Sequence, residues 1–215
     1  MGAREPLSRD RVIAAGVELA DAEGLDGLSM RKLAAELGYE PMSLYNHVES
    51  KDDLLAGMVD SVIGEMDSPD ATGAHDWRTA MHASLVSSRD ALLAHPWASA
   101  LWNQTWPGPN RKAWMDGLLG CLRTAGFSVE LAHHGYHAVD LYVVGTVQQQ
   151  LTFNMPDDLD TAAADFLSQT PTEEFPHLVE HVRYHLDEDT IDEDDFDLLL
   201  DFILDGLERR AGVAA

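Results

Sequence analysis

Six of the ten histidines stand in two groups. His133, His134 and His137 share one helical stretch, and His177, His181 and His185 recur at every fourth residue, which sets them along one helical face. Neutral imidazoles at that spacing can hold zinc or copper. Two Glu-x-x-His units, Glu130 with His133 and Glu174 with His177, supply the pairing that helical di-iron sites use. Such a site also needs two further inward glutamates, which the pattern does not identify, and composition alone yields pairs of this kind. A metal-dependent helical bundle is therefore the second reading, and no residue is assigned as a metal ligand. Cys121 sits among Leu118, Leu119 and Leu122, the setting of a buried thiol rather than a nucleophile. The acidic run from Asp187 to Asp197 lacks the glycine and spacing of a calcium loop. Glycine-rich phosphate loops, nucleophile elbows and zinc-protease signatures do not occur, so neither an enzyme nor a cofactor is expected.

Aromatic residues offer different chemistry. Trp97, Trp102 and Trp106 fall within ten residues, Trp114 follows, and Tyr136, His137, Tyr142, Gln149 and Phe153 lie on one long helical pattern. Large apolar rings with a few polar groups are what a small-molecule site requires. The ligand-contact candidates are Trp102, Trp106, His137, Tyr142 and Gln149. An aromatic stripe at helical spacing also serves as core, so only some of these are expected to meet a ligand.

The elements that position these residues are helices throughout, because no segment alternates as a strand bounded by hairpin turns. The first pattern runs from Arg9 to Ala22 and stops near Gly24; Ser29 caps a short helix from Met30 to Leu37, closed by Gly38. A third segment spans Glu40 to His47 with Pro41 at its start, and Ser50 caps a longer helix whose stripe is Leu54, Leu55, Met58, Val59, Val62, Ile63 and Met66. Residues 67–75 read as a linker. Helical patterns then follow at 76–94, 97–104, 110–125, 128–153, a broken 158–186, and 192–210, punctuated by prolines and glycines. The fold expected is all-α: a head over residues 1–66 and a helical bundle over residues 67–215.

Two short helices joined by a glycine turn after a longer helix form the helix-turn-helix pattern, whose second helix enters the DNA major groove. The stretch Gly27-Leu28-Ser29-Met30-Arg31-Lys32-Leu33-Ala34, then Leu37-Gly38-Tyr39-Glu40, Ser43-Leu44-Tyr45-Asn46-His47-Val48 and Ser50-Lys51-Asp52-Asp53-Leu54-Leu55 resembles the TetR family of repressors over residues 9–66. The resemblance implies base-facing roles for Pro41, Met42 and Ser43, with Arg31 from the preceding helix. Arginine can bond a guanine edge twice, whereas methionine and proline offer apolar contact to a thymine methyl. It implies phosphate contacts for Tyr45, His47 and Lys51, the last at a helix start that favours anions. Leu44 and Val48 are expected in the core. The resemblance also implies a homodimer on double-stranded palindromic DNA and a body that binds a small-molecule effector of unspecified identity. The family's best-known member holds a magnesium–tetracycline complex with a fourth-helix histidine, and Asp67 stands at the matching position here. Two segments suit a dimer seam: Leu131 to Leu151, and the terminal helix with Phe196, Leu199, Leu200, Ile203, Leu204 and Leu207.

Length and charge bound these readings. A chain of 215 residues can bury a full core. Its 14 Lys and Arg against 38 Asp and Glu give a formal net charge of −24, which opposes non-specific DNA and anionic membrane surfaces. Residues 1–66 carry six basic against thirteen acidic side chains; the acid concentrates further along. A few aimed cations must therefore do the phosphate binding, and two heads must share it. Met1 to Asp10 lacks a secretory apolar stretch, and no run reaches membrane-span length, so a cytoplasmic protein with no membrane partner is expected.

Overall fold

Three serines begin three of the first four helices. In a computed structural model that describes residues 6–69, 77–152, 158–186 and 195–212, the Ser8, Ser29 and Ser50 hydroxyls accept the backbone N–H groups of Arg11, Lys32 and Asp53. These bonds satisfy donors that a helix start otherwise leaves free. The helices they open are α1 (Arg9–Gly27), α2 (Met30–Leu37) and α4 (Lys51–Ile63), with α3 (Pro41–Leu44) between the last two. The chain continues as α5 (Trp77–Ala94), α6 (Pro96–Leu101), α7 (Pro109–Thr124), α8 (Val129–Thr152), α9 (Leu159–Gln169), α10 (Pro176–His185) and α11 (Asp195–Ala211). No strand occurs among the described residues.

Several boundaries differ from the sequence expectation for local reasons. Gly24 adopts φ +72°, yet the helical path resumes to Gly27, so this glycine kinks α1 rather than ending it. The third segment is shorter than Glu40–His47: one helical turn, Pro41–Leu44, and then turns through His47. α4 ends at Ile63, although Met66 beyond it is buried.

α1 packs on α4, where Gly16 permits the approach: an added Cβ would lie 2.9 Å from Met58 Sδ. Leu33, Leu44, Leu54 and Met58 are fully buried there. α4 also packs on α5, α6 and α7, and α1 on α6, so the first four helices share one core with the helices that follow. The chain divides into two compact units, residues 1–151 with 202–215, and residues 152–201. In the second unit, α9 and α10 pack on each other.

The terminal apolar stripe is split. Phe196, Leu200, Leu204 and Leu207 are buried within the chain, whereas Leu199 is exposed together with Leu198 and Phe202. A 17-residue helix with apolar residues on two sides has one face for its own core and one left over. The expected single seam stripe is thus mostly core.

Candidate nucleic-acid interface and effector cluster

Gly38 sets the geometry of the head. Its φ of +71° closes α2, its N–H reaching the Ala34 and Ala35 carbonyls, and turns the chain into α3. Leu44 and Val48 then anchor the recognition segment, at 0% and 1% exposure. Met42 projects into solvent at 74% exposure and Tyr45 at 43%; Arg31 and Lys51 are also exposed, while Pro41, Ser43 and His47 are half-buried. Lys51 Nζ donates to the Leu28 carbonyl at 3.0 Å, which leaves two of its three donors for other acceptors.

A clamp missed by sequence reading holds this segment from α1. Arg9 makes a two-pronged pair with Asp53, at 2.7 and 2.8 Å, and donates to the His47 carbonyl at 3.1 Å. The Arg9 hydrogen bonds hold the Asp53 carboxyl below its usual range, and the Glu49 backbone N–H adds to this. Arg9 rises above its ordinary value, chiefly through the hydrogen bond to Asp53.

Buried and half-buried polar groups join the first four helices to those that follow. Asp60 of α4 is buried and accepts the N–H groups of Asn110 and Arg111 at 3.1 and 2.9 Å, while its own carbonyl accepts from Asn110 Nδ2. An acid on α4 thereby caps α7, a role that glycine at position 108 permits: a Cβ there would lie 2.3 Å from the Asp60 carboxyl carbon. On another side, His95 Nδ1 lies 2.8 Å from Asp21 of α1, and its Nε2 lies 3.2 Å from Glu65. Trp97 Nε1 donates to the same Asp21. Burial opposes His95 protonation, but Asp21 and Glu65 outweigh it and raise its pKa. The only sequence signal for Asp60 is an acid flanked by Val59 and Val62 on an apolar stripe.

The aromatic candidates separate. Trp97 serves the α1 contact, and Trp106 is 92% exposed. Trp102 is buried, donates its Nε1 to Asp140 of α8 at 3.1 Å, and meets Trp114 edge-to-face with centroids 5.8 Å apart. Arg111 lies over the Trp102 ring, 4.5 Å from its centroid, and donates to the Trp102 carbonyl. Tyr136 completes the cluster against Trp114; burial, then the Asp140 charge, pushes its hydroxyl up to about 12. Burial raises the Asp140 carboxyl, against the Trp102 hydrogen bond and the Arg111 charge.

Trp102, Trp106 and Arg111 line one recess of about 310 Å³. Trp106 also borders a second recess, of about 430 Å³, between α1, α4 and the start of α7. His137 is exposed on α8 but touches the cluster's edge, its ring meeting Tyr136 edge-on with centroids 5.0 Å apart, whereas Gln149 is exposed and Tyr142 half-buried further along the same helix. Arg111 was missed because Pro109-Asn110-Arg111-Lys112 reads as a solvated helix start. Phe153 lies outside the described residues.

Among the described residues, no three His, Cys, Asp or Glu side chains are placed to hold a metal ion. His133 and His137 meet ring to ring, and His177 is 95% exposed. Cys121 is buried and points to the Trp77 carbonyl. No helix among the described residues is long and apolar enough to cross a membrane. Asp67 is exposed, and its backbone is bonded to Ser84 and Ser87 of α5.

Comparison with known proteins gives a consistent picture. The family model for bacterial regulatory proteins of the tetR family matches residues 12–58, and that for the tetracyclin repressor-like C-terminal domain matches residues 68–211. The HTH-type transcriptional repressor DrrR1 of Streptomyces coeruleorubidus is 37% identical, over all of this chain and 83% of its own. Apo ActR from Streptomyces coelicolor is 32% identical with a TM-score of 0.85, covering 99% of this chain and 100% of that one. ActR in complex with actinorhodin is 32% identical with a TM-score of 0.81, covering 97% and 100%.

Proposed function

The chain belongs to the TetR family of ligand-responsive, DNA-binding transcriptional repressors, and from that premise we propose that it acts as a homodimer whose two heads grip a palindromic operator until a small-molecule effector occupies the body. The observation that carries this reading is the recognition segment itself: Met42 and Tyr45 are exposed on a segment locked by Leu44, Val48 and the Arg9 clamp. Arg31, Pro41, Met42 and Ser43 face base edges, and Tyr45, His47 and Lys51 hold phosphates. The head is residues 1–66 and the body residues 67–215.

The effector reading is supported by ActR, whose solved complex holds actinorhodin. In this chain Trp102 and Trp106 meet the effector, with His137 beside them against Tyr136 and with Tyr142 and Gln149 further along α8. Occupancy acts on the head through Arg111. Its side chain lies in the cluster, and its backbone N–H is held by Asp60 of α4. A shift at the start of α7 therefore reaches α4 and alters the spacing of the two heads.

Dimerisation is supported by apolar surface left over on the two helices that suit a seam. Leu141 of α8 and Leu198, Leu199 and Phe202 of α11 are exposed, and Gly145 and Gly206 leave open space where a second helix can approach. Selection from random duplexes, followed by the mass of the complex, tests the reading. The expected product is an inverted repeat with half-sites about one helical turn or a multiple apart, holding at least two chains. An asymmetric site occupied by one chain contradicts it.

A further inference from the structure

His95 stands at the corner between α5 and α6 with its backbone fixed on both sides: its N–H donates to the Ala91 carbonyl, and its own carbonyl accepts from Ala98. Its side chain is only 13% exposed and has a carboxylate at each ring nitrogen. Nδ1 lies 2.8 and 3.0 Å from the two Asp21 oxygens, and Nε2 lies 3.2 Å from Glu65 Oε2. A carboxylate only accepts, whereas a neutral imidazole has one N–H and one bare nitrogen. Both contacts are therefore hydrogen bonds only in the imidazolium, where both nitrogens carry a proton. Trp97 Nε1 holds Asp21 from a second direction, at 2.6 Å, and so fixes the carboxylate the ring must meet.

The bridge spans the two helices that aim the recognition segment. Asp21 lies in the second half of α1, and Glu65 lies just past the end of α4. Near the opposite ends of these helices, Arg9 of α1 grips Asp53 of α4 and the His47 carbonyl. Among the described residues, Asp21 and Glu65 are the charged groups that act on the imidazole, and α6 itself carries no ionisable side chain. Burial opposes the charge on His95, but the two carboxylates outweigh it. We propose that His95 is a positioning residue for operator binding and makes that binding proton-dependent: its imidazolium, donating to Asp21 and Glu65 at once, fixes α1 and α4 against the α5–α6 corner. Loss of the proton leaves one carboxylate without its donor, and one of the two helices is released. The proposal rests on the reading that the head binds DNA.

Fluorescence anisotropy of the full chain on a duplex selected from a random pool, at fixed ionic strength between pH 6 and pH 8.5, tests it. Three proteins are compared at a temperature where circular dichroism shows each of them folded: the unaltered chain, His95→Gln and Glu65→Gln. His47 is present in all three, so the ratio of their affinities at each pH isolates His95. His95→Gln donates through one amide group without a charge, and it should bind about 3- to 10-fold more weakly than the unaltered chain at pH 6 and equally at pH 8.5. Glu65→Gln offers the ring either a donor or an acceptor, so a neutral imidazole keeps both contacts; its affinity should fall less than that of the unaltered chain as pH rises. The proposal is overturned if His95→Gln tracks the unaltered chain across the range, or if its deficit is the same at both ends. Should His95→Gln fail to fold, Glu65→Gln, altered at a side chain that is 54% exposed, decides: a pH profile identical to that of the unaltered chain overturns the proposal. Intact operator binding with coincident profiles removes only the role of His95, whereas no binding by the unaltered chain at any pH removes the functional reading above as well.

Discussion

The head and the aromatic cluster treat their polar groups in opposite ways. In the head, serines cap three helices, Arg9 and Asp53 satisfy each other, and Lys51 reaches a carbonyl. In the cluster, two buried donors, Arg111 Nε and Trp114 Nε1, have no acceptor, and a buried arginine shares its surroundings with a buried carboxylate. A fully satisfied segment has one geometry and can present side chains to DNA without rearrangement. An incompletely satisfied one gains from a molecule that supplies the missing acceptors. The contrast fits the proposed roles: rigidity in the segment proposed to read DNA and responsiveness in the cluster proposed to meet an effector. Asp60 stands between them, with its helix in the head and its carboxylate on α7.

The largest effect should come from cutting that joint. Asp60→Ala leaves two N–H groups at the start of α7 without their acceptor and should cost about 2–4 kcal/mol in urea unfolding. Asp60→Asn keeps one acceptor oxygen and should recover part of it; a loss below about 1 kcal/mol for the alanine variant would show that the contact carries little. Next in size, Arg31→Ala should weaken operator binding by about 1–3 kcal/mol and relax preference at particular bases, as competition among operator variants would reveal. Lys51→Ala should weaken all sequences alike and flatten the salt dependence by about one phosphate contact. Equal patterns for the two variants would erase the distinction between base reading and phosphate holding.

The smallest effect concerns pH. Because His95 is raised above its ordinary 6.5 by Asp21 and Glu65, its contribution is fully present below pH 6.5 and is lost as pH rises through the raised value. His95→Gln should therefore destabilise the protein more at pH 6 than at pH 8.5, read from thermal midpoints at both. The same difference at both values would mean that His95 acts through packing alone.

Sequence reading succeeded where chemistry is local. A serine before a helix, Gly38 at a turn, and the stripe of α4 all act within a few residues, so spacing reveals them. It failed where distant residues meet. Arg9 reaches Asp53, Asp60 reaches Arg111, and Asp21 reaches His95, and nothing in their neighbours announces the partner. The aromatic residues show the same limit: four tryptophans that looked like one set serve an interhelical contact, a buried cluster and open solvent. The terminal helix misled for a related reason, since its apolar residues on two sides cannot be assigned to core or surface from period alone.

The most direct test of the account is the affinity of the full chain for its selected duplex across a salt series, read by fluorescence anisotropy. On a chain of net charge −24, binding must come from the few cations of a preformed head. The account predicts saturable binding at low salt that weakens steadily as salt rises, with no added effector or metal required. Absence of saturable binding at low salt, or binding indifferent to salt, would contradict it.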